Sequence, residues 1–588
     1  MYNINKDLAN ILYKMAAIYE FKDDTFRARA YERAAHIVED LPDDIRNYVK
    51  EGKLLSIKGI GPGIASKIEE YIKNGKISKY EELKKEVPED FIELIDFPGI
   101  GAKSLKKIYQ ELGITTKSEL IKALKDGRVE QLKGFGKKKV EGMLKAIKMH
   151  EVAQRRMLLW YALELAKYIV EELKQLKEIK KIEIAGSIRR RKVTIGDIDI
   201  LVVADDNDRY KIMDFFISLP EVKEVLVKGD KKTSVIIKTK SGRERQVDLR
   251  IFREDEWGAA LQYFTGSKEH NVHVREIAKE KGLKLNEYGV FKVDTEEKIA
   301  GKTEEEVYNA IGLPYIVPEL REDRGEIEAA LKGELPDLVE FSDIKGDMHV
   351  HSNWSDGVNS IDEIIRFVKE RYKYEYIIIT DHSKSQRVAH GLDENRILKE
   401  IEEIKKLNKL IGFDFIKIGT EVDILLDGSL DFPDEILAKL DFVVASVHSH
   451  FKRDNTDRIL KAMENPYVNV IGHPTGRLIG VREGYPLDLD IVIKKAKETG
   501  TALEINCQPL RMDIEDTWIR RAVEEGVMLV ISTDSHNLGS FEYMKQGVWL
   551  ARRGWATKKN ILNTRSWSEV VKFVNEKRKK MGGIPVGA

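Results

Sequence analysis

Short runs of apolar, mostly β-branched residues recur between residues 347 and 536, and each run ends in side chains that can bind a metal ion. The segments are DMHVHSNWSDG, IIITDHS, FVVASVHSH, NVIGHP and LVISTDSHN. Amphipathic helical segments such as LKEIEEIKKLNKLI lie between them. Apolar strands that alternate with helices predict an α/β barrel whose site lies at the carboxyl ends of its strands. Histidine and carboxylate ligands suit Zn²⁺, Mn²⁺ or Fe²⁺, so the pattern indicates a multinuclear phosphoesterase.

The chain is too long for one hydrophobic core. It has 588 residues, whereas single cores stop growing at about 250 to 300 residues, so we expect three or more domains. Its 100 basic and 100 acidic side chains cancel, which argues against binding of nucleic acid through net charge alone. The single cysteine, Cys507, excludes an intrachain disulfide and a cysteine-ligated zinc site. Since no apolar run approaches the ~20 residues of a membrane span, we expect a cytoplasmic protein without a membrane segment.

A Gly-apolar-Gly motif occurs three times in the first 150 residues, in LSIKGIGPGIASKI, LIDFPGIGAKSLKKI and QLKGFGKKKVEGML. The glycine pairs are Gly59 and Gly61, Gly99 and Gly101, and Gly134 and Gly136. Each pair precedes a lysine-bearing helical segment, so backbone N–H groups at the helix start can bind a phosphate oxygen. The segments resemble helix-hairpin-helix motifs, which bind the nucleic acid backbone without reading bases. One copy could be a glycine connector in a helical bundle, whereas three copies favour DNA binding.

The segment KIEIAGSIRRRKVTIGDIDILVVA predicts two strands joined by a glycine turn and a basic stretch. Asp197 and Asp199 are two apart on the second strand, so their carboxylates leave the same face. Asp248, in the alternating segment RERQVDLRIF, lies on a strand that could pair nearby. Three converging carboxylates require cations, and oxygen-only ligands select Mg²⁺ or Mn²⁺. With a hydroxyl and arginines nearby as phosphate donors, the pattern predicts two-metal nucleotidyl transfer.

These motifs, followed by YFTGSKEHN and GLKLNEYG, resemble the nucleotidyltransferase core of the family X DNA polymerases, the group that contains polymerase β. The resemblance covers residues 1 to 320. It implies that Asp197 and Asp199 bind both metal ions and that Asp248 binds the catalytic ion beside the primer 3′-hydroxyl. It also implies that the incoming deoxynucleoside triphosphate is bound by Ser187, Arg190, Gly196, Arg156, Tyr263, Phe264, Gly266 and Asn271.

The same resemblance implies that Arg275 contacts the template strand of gapped or primer-template DNA. The sequence departs from polymerase β at Lys268, where that protein has an acidic residue. It departs again at Gln246, where polymerase β has an arginine near the metal site. These two changes bear on nucleotide affinity and fidelity rather than on the chemistry.

The N-terminal helical segments resemble the lyase domain of this family. Lys67, in IASKI, stands where the family has the lysine that forms a Schiff base with a 5′-deoxyribose phosphate. Gly63 and Phe26 replace an auxiliary lysine and histidine, whereas Tyr31 and Arg27 suit a 5′-phosphate pocket. Lyase activity and a simple phosphate contact by Lys67 therefore both stay open.

The C-terminal array resembles the PHP domain (polymerase and histidinol phosphatase) over residues 341 to 580. Glu421 is expected to bridge metal ions, which would be Zn²⁺, Mn²⁺ or both. His450 and Asp381 are expected to orient ligands or contact substrate, and the scissile phosphate is expected near Arg387, His390, Arg477 and Arg511. The full set of metal ligands that the resemblance implies is His349, His351, Asp356, His382, Glu421, His448, His473, Asp534 and His536.

We therefore expect a multidomain chain. It comprises an all-α helix-hairpin-helix region, an α+β nucleotidyltransferase palm with a small C-terminal α/β subdomain, and a distorted (β/α)7 PHP barrel. The expected domains are a lyase-like DNA-binding domain at 1–85, a second DNA-binding subdomain at 86–150, the palm at 151–255, a nucleotide- and template-contacting subdomain at 256–318, a linker with a docking helix at 319–340 and the PHP domain at 341–588.

The expected function is that of a nucleoid-associated, monomeric DNA polymerase that fills short gaps in DNA repair and removes nucleotides from 3′ ends. Two alternatives stay open. One is a non-templated nucleotidyltransferase with a small-molecule phosphoesterase domain. The other is a DNA-binding scaffold with relict sites. Templated primer extension would separate the first alternative from the expected function, and turnover at either site would exclude the second.

Overall fold

The fold is given by a computed structural model that describes residues 4–39, 45–57, 59–88, 90, 94, 100–144, 147, 156–239 and 244–587. The chain divides into two compact units. One comprises Met1–Gln154 with Gly480–Arg482, and the other comprises Arg155–Ile479 with Glu483–Ala588. No helix in the described ranges is long and apolar enough to cross a membrane.

The first unit is helical, as the sequence predicts. Leu8, Leu12 and Met15 are fully buried on one face of its first helix because they recur every three or four residues. This face packs against the second helix and forms the core of the unit. The helices are Ile4–Phe21, Thr25–Glu39, Ile45–Lys50, Pro62–Asn74, Ser78–Lys84, Ala102–Leu112 and Lys117–Lys125, followed by a helical stretch at 137–144.

The second unit begins with the palm, a five-stranded sheet. In spatial order its strands are Lys181–Ile184, Ile198–Val203, Glu244–Phe252, Lys232–Lys238 and Val222–Lys228. The second and third strands pair in parallel, whereas the other neighbours are antiparallel. Alternate residues of the second strand serve two cores, because Ile200 packs with helices on one face and Leu201 with a helix on the other. Two short strands pair beside this sheet, Met157–Leu158 and Thr194–Ile195. The palm helices are Leu159–Leu173, Gly186–Arg189 and Arg209–Ile217.

The predicted nucleotide- and template-contacting subdomain follows the palm; we call it the thumb, and it combines helices with a small antiparallel sheet. Its strands are Leu283–Asn286, Gly289–Lys292 and Lys298–Ala300. Its helices are Trp257–Thr265, Lys268–Glu280 and Glu304–Ala310.

The segment predicted as a linker contains the expected short helix, Glu326–Lys332, but it is tightly packed. Leu320 and Ile327 join the apolar core of the thumb. Arg321 is fully buried and donates hydrogen bonds to Glu304 and to the carbonyl oxygen of Ile316. The segment therefore contains the expected docking helix and also makes buried internal contacts.

The remainder of the second unit confirms the predicted seven-stranded barrel. All neighbouring strands are parallel and follow chain order. The first and last strands meet through a hydrogen bond of 2.8 Å from the N–H of His351 to the carbonyl oxygen of Ser535, so the barrel is nearly closed. The strands are Gly346–Val350, Tyr376–Ile379, Ile416–Asp423, Phe442–Ser446, Val470–Ile471, Ala502–Asn506 and Leu529–Ser532.

Barrel strands are buried on both faces, because the interior covers one side and helices cover the other. Cys507 is fully buried in the barrel core, as a small apolar residue would be. The surrounding helices are Ile361–Arg371, Glu394–Ile411, Asp434–Leu437, Thr456–Met463, Leu489–Thr499, Asp516–Glu525, Met544–Arg553 and Trp567–Met581.

Candidate active sites

A cavity of about 340 Å³ lies between palm and thumb, and most of the predicted nucleotide-binding residues line it. Arg156 and Gly196 are not among the described residues of its wall. Arg156 instead donates hydrogen bonds to the side chain and carbonyl oxygen of Thr194. The wall consists of Gly186, Ser187, Arg190, Asp197, Asp199, Tyr263, Phe264, Gly266, Lys268, Asn271 and Arg275.

The three predicted carboxylates lie close together, and two of them, Asp197 and Asp199, line this cavity. Asp199 lies beside Asp248 because the two strands that carry them pair in parallel register. Asp197 lies one residue before its strand begins and also lines the cavity. Burial and the negative charges of Asp197 and Asp248 raise the pKa of Asp199 to about 7. Three oxygen-donor side chains in one place fit divalent cations, which would hold Asp199 ionised beside its two neighbours.

Gly186 brings a helix start against this group. Its φ of +62° belongs to the left-handed region that glycine adopts readily. A Cβ added at this position would lie 2.5 Å from Oδ2 of Asp199, well inside van der Waals contact. A side chain at position 186 would therefore force the Asp199 carboxylate or the turn to shift.

Asp248 is held by three neighbouring side chains on its own and the adjacent strand. Gln246 Nε2 donates to Oδ1 at 2.9 Å, and Lys232 Nζ lies 2.9 Å from Oδ2. Arg250 lies 3.4 Å from the same oxygen and stacks on the ring of Phe264. Gln246, a departure from the polymerase β pattern, therefore still contacts Asp248, and Lys232 and Arg250 supply positive charge beside it.

The thumb side of the cavity is fixed by hydrogen bonds around Asn271. Its side-chain amide donates to the carbonyl oxygen of Tyr263 at 2.7 Å and accepts from Gln262 at 2.9 Å. Arg275 Nε donates to the carbonyl oxygen of Asn271 at 3.1 Å. The amide plane is thereby oriented before any base is bound, which suits a residue that contacts a base edge.

The nine predicted metal ligands of the PHP domain come together at the carboxyl ends of the barrel strands, around Glu421. Its carboxylate oxygens lie 3.0 Å from His382 and His473 and 3.3 Å from His349 and His448. His351 lies 3.5 Å from it. Burial alone would raise the pKa of Glu421, but the neighbouring histidines hold it well below its ordinary value. This position between five imidazoles is the one that a bridging carboxylate requires.

The remaining ligands surround His351. Its Nε2 lies 3.1 Å from Nε2 of His349 and 3.3 Å from Asp534. Asp356 lies 3.3 Å from His536 and 3.6 Å from His382. The side chains form three overlapping groups whose donor atoms could each hold one ion: His351, Asp356, His382 and His536; His349, His351 and Glu421; and His382, Glu421 and His448.

The donor chemistry of this cluster fits several divalent metal ions. The facing ring nitrogens of His349 and His351 cannot both donate a proton to each other, whereas both can bind a cation. The buried Nδ1 atoms of His351 and His473 have no hydrogen-bond partner among the described residues. Imidazole with carboxylate is a donor set for Zn²⁺, Mn²⁺ or Fe²⁺.

Two carboxylates that orient these histidines were not predicted. Glu504 is fully buried and accepts a hydrogen bond of 2.6 Å from Nδ1 of His349 and another from the N–H of His473. Asp423 accepts one of 2.6 Å from Nδ1 of His448. Each fixes the ring so that Nε2 faces the cluster. Their signal in the sequence is an acidic residue between apolar residues of a buried strand, in ALEIN and IGTEVDI.

The outer residues of this site differ in their surroundings. Asp381 accepts hydrogen bonds from the N–H groups of Ser352 and Ser355 and holds the loop that carries Asp356. His450 is exposed, and its Nδ1 lies 3.1 Å from Ser449 Oγ.

Two of the predicted phosphate-binding arginines of this site, Arg477 and Arg511, lie close to each other. Arg511 lies 3.7 Å from Asp534. Arg477 donates to the carbonyl oxygen of Arg511 and forms an ion pair with Glu515. Arg387 and His390 lie in the loop that follows His382, and His390 has a φ of +54°.

The three glycine repeats share one local structure wherever they are described. The carbonyl oxygen of the second glycine, Gly61, Gly101 or Gly136, accepts hydrogen bonds from the N–H groups three and four residues later, so a helix begins there each time. Gly59 and Gly134 have φ of +102° and +89°, as the tight turn requires. Gly99 lies outside the described residues. Lys67 lies on the helix after the first repeat, and its Nζ donates to the carbonyl oxygen of Gly63 at 2.9 Å.

Comparison with known families matches most of the chain between residues 3 and 506. Residues 3–77 match the helix-hairpin-helix domain, and 51–112 and 91–149 match the SAM-like helix-hairpin-helix tandem. Residues 162–248 match the DNA polymerase beta palm and 260–322 the DNA polymerase beta thumb. The PHP domain matches residues 347–506, and Asp534 and His536 lie beyond that match.

A full-length relative is the DNA polymerase/3′-5′ exonuclease PolX of Bacillus subtilis (strain 168), 41% identical over 97% of this chain and 99% of that protein. The chain belongs to the family X DNA polymerases that carry a PHP domain. The C-terminal part of the chain is also 32% identical to a probable phosphatase of Thermoanaerobacter sp. (strain X514), over 40% of the chain and 97% of that protein. DNA polymerase lambda of Rattus norvegicus is 24% identical over 54% of the chain and 56% of its own length.

Proposed function

We propose that this chain is a DNA-directed DNA polymerase that fills short gaps during DNA repair, and a 3′-5′ exonuclease that processes 3′ ends. One observation carries the proposal: a single chain assembles two separate sets of metal-binding side chains. Three carboxylates lie at the palm cavity, and a histidine-rich cluster lies at the end of the barrel. Membership of family X supports joining nucleotides at the first site and cutting phosphodiesters at the second.

At the palm, Asp197, Asp199 and Asp248 would hold two Mg²⁺ or Mn²⁺ ions. Such ions lower the pKa of an attacking hydroxyl and stabilise a leaving pyrophosphate. The side chains of the chain itself bind and orient the substrates. Ser187 and Arg190 line the part of the cavity that suits a triphosphate, and Asn271 presents a fixed amide to the incoming base.

At the barrel, the nine predicted ligands would hold more than one Zn²⁺ or Mn²⁺ ion. Ions of this kind provide hydroxide at neutral pH and neutralise charge on a phosphoester. Glu504 and Asp423 keep His349 and His448 in the tautomer that leaves Nε2 free to bind. Arg511 and Arg477 place positive charge at the rim, where a phosphate of the cleaved strand would bind.

The helical unit would hold the DNA duplex. The helix starts at Gly61, Gly101 and Gly136 each offer backbone N–H groups to phosphate oxygens, and such contacts are independent of base sequence. This mode of binding suits an enzyme that acts wherever a gap occurs. We propose that the protein does so as a monomer.

A labelled duplex with a gap of a few nucleotides tests the proposal. With all four nucleotides and Mg²⁺ or Mn²⁺, extension should stop at the gap boundary, and each single nucleotide should be inserted only opposite its complement. Without nucleotides and with Mn²⁺, the same 3′ end should shorten one nucleotide at a time. Insertion that ignores the template would instead support the non-templated nucleotidyltransferase, and no turnover in either reaction would support a relict scaffold.

A further inference from the structure

One helix of the PHP domain, Met544–Arg553, packs directly against the palm. Trp549 is partly buried and packs against the apolar core of the palm, and its ring lies under the guanidinium of Arg191 at 4.2 Å. Tyr543, just before the helix, makes an edge contact of 5.0 Å with Trp160 of the first palm helix. We call Met544–Arg553 the interdomain helix. Its contacts place it beneath the turn that carries the predicted triphosphate ligands.

The last residue of the interdomain helix, Arg553, bonds to the backbone of that turn. Its NH1 donates a hydrogen bond of 2.6 Å to the carbonyl oxygen of Arg190. The same nitrogen donates to Glu322 Oε1 at 3.0 Å, and NH2 donates to Asp516 Oδ2 at 2.6 Å. Arg553 is 4% exposed, so these bonds form away from solvent, where they are strong and geometrically demanding.

Glu322 is the second link between Arg553 and Arg190. Its Oε1 accepts a hydrogen bond from Arg190 Nε at 3.0 Å as well as the one from Arg553. Arg190 NH1 donates in addition to the carbonyl oxygen of Thr265 at 2.5 Å, and Arg190 lines the nucleotide cavity. Both the main chain and the side chain of Arg190 are thus tied to Arg553.

We infer that Arg553 of the PHP domain is a positioning residue for nucleotide binding by the polymerase, acting through Glu322 and the backbone of Arg190. Without Arg553, Glu322 would lose one of its two guanidinium partners, and its ion pair with the other, Arg190, would become stronger. The positive charge of Arg190 would then be less available to a triphosphate, and its backbone would lose a fixed bond. The inference rests on the proposed polymerase function and assigns part of the nucleotide site to the nuclease domain.

The neighbouring Arg552 offers a matched control. It lies on the same helix and forms an ion pair with Glu319 at 2.8 Å that is largely removed from water, and a second one with the exposed Glu340. Arg552→Met should therefore cost stability as Arg553→Met does, since each change breaks at least one ion pair that is largely removed from water. Among the described residues, none of the hydrogen bonds of Arg552 goes to Arg190 or Glu322.

The test is single-nucleotide insertion on gapped duplex by the full-length protein, with kcat and KM for the nucleotide measured separately. Arg553→Met should raise KM about fivefold or more, the lower end of typical coupling between linked sites, and leave the 3′-5′ exonuclease rate unchanged. In an Arg190→Met background, Arg553→Met should raise KM no further, because the Glu322 contact and the backbone bond both act by placing the guanidinium of Arg190, which is gone.

An unchanged KM in Arg553→Met would overturn the inference, as would an equal rise in Arg552→Met or a further rise in the Arg190→Met background. If Arg553→Met does not fold and loses both activities, Asp516→Asn replaces it in the same assays, with the same outcomes. This change weakens the hydrogen bond that holds the other nitrogen of the Arg553 guanidinium. Wild-type protein that inserts no nucleotide would overturn the proposed function together with the inference. Wild-type turnover with unchanged KM in the variants overturns the inference alone.

Discussion

The close contact between Gly186 and Asp199 predicts a selective loss of polymerase activity in Gly186→Ala. The new Cβ would lie 2.5 Å from Oδ2 of Asp199, whereas ordinary contacts begin at 3.4 Å, so the carboxylate or the turn must move by about 0.9 Å, the difference. Displacing a catalytic group by about 1 Å costs about 100-fold in rate. A residue with a Cβ at a φ of +62° also costs about 1 to 2 kcal/mol of stability.

Gly282→Ala separates these two effects. Gly282 lies in the same unit and has a φ of +69°, but a Cβ there would meet no described atom within 4 Å. It should therefore lose similar stability without loss of insertion rate. The assay is single-turnover insertion on gapped duplex, with exonuclease rate and melting temperature measured on the same preparations. If Gly186→Ala inserts nucleotides within about threefold of Gly282→Ala, the argument from the carboxylate position is refuted.

Three further predictions concern the other sites. Glu504→Gln should reduce exonuclease activity about 10- to 100-fold and leave insertion unchanged, because His349 loses its charged partner; loss of insertion as well would contradict this assignment. Gly101→Asp should keep or raise the melting temperature, since Asp is a good N-cap. It should nevertheless weaken duplex binding, measured by fluorescence anisotropy, because the carboxylate competes with phosphate. Unchanged affinity would exclude that helix start as a DNA contact. Lys67→Ala should weaken binding of a gapped duplex with a 5′-phosphate more than binding of one without it, and equal losses for both duplexes would argue against a phosphate contact. Borohydride trapping on a 5′-deoxyribose phosphate end tests separately whether Lys67 also forms a Schiff base.

The fold was predictable because local patterns agree with the tertiary structure. The strands that carry His349 or precede His382 and Asp534 are short, apolar and separated by amphipathic helices, and this pattern leaves few arrangements other than a parallel barrel. The repeated glycine pairs predict three helix starts because glycine permits the turn that each start needs. In both cases the determining residues are close together in the sequence.

The features that were missed depend on residues far apart in the chain. Glu504 orients His349 across 155 positions, and only the order of strands in the closed barrel brings them together. Arg321, in the segment predicted as a linker, is buried because Glu304 and aromatic side chains surround it. Charge and proline content alone favour a linker with a docking helix there and do not show that Arg321 is buried, since the partners that permit its burial are not local.

The separateness of the two metal sites accounts for the proposed pair of activities. The carboxylate triad belongs to the palm, whereas the histidine cluster is built only from barrel residues. The two sites still share one compact unit, joined by the interdomain helix and the packed segment around Arg321. The chemical reactions at the palm and at the barrel are therefore expected to be independent of each other. The positioning of the nucleotide at the palm, in contrast, is expected to depend on the interdomain helix.

Reciprocal inactivation tests this account most directly. Asp199→Ala and His349→Ala should be assayed on one labelled gapped duplex, for extension with nucleotides and for shortening without them. We expect Asp199→Ala to abolish extension and retain shortening, and His349→Ala to do the reverse. Loss of both reactions in either folded variant would contradict the claim that one chain carries two independent metal sites.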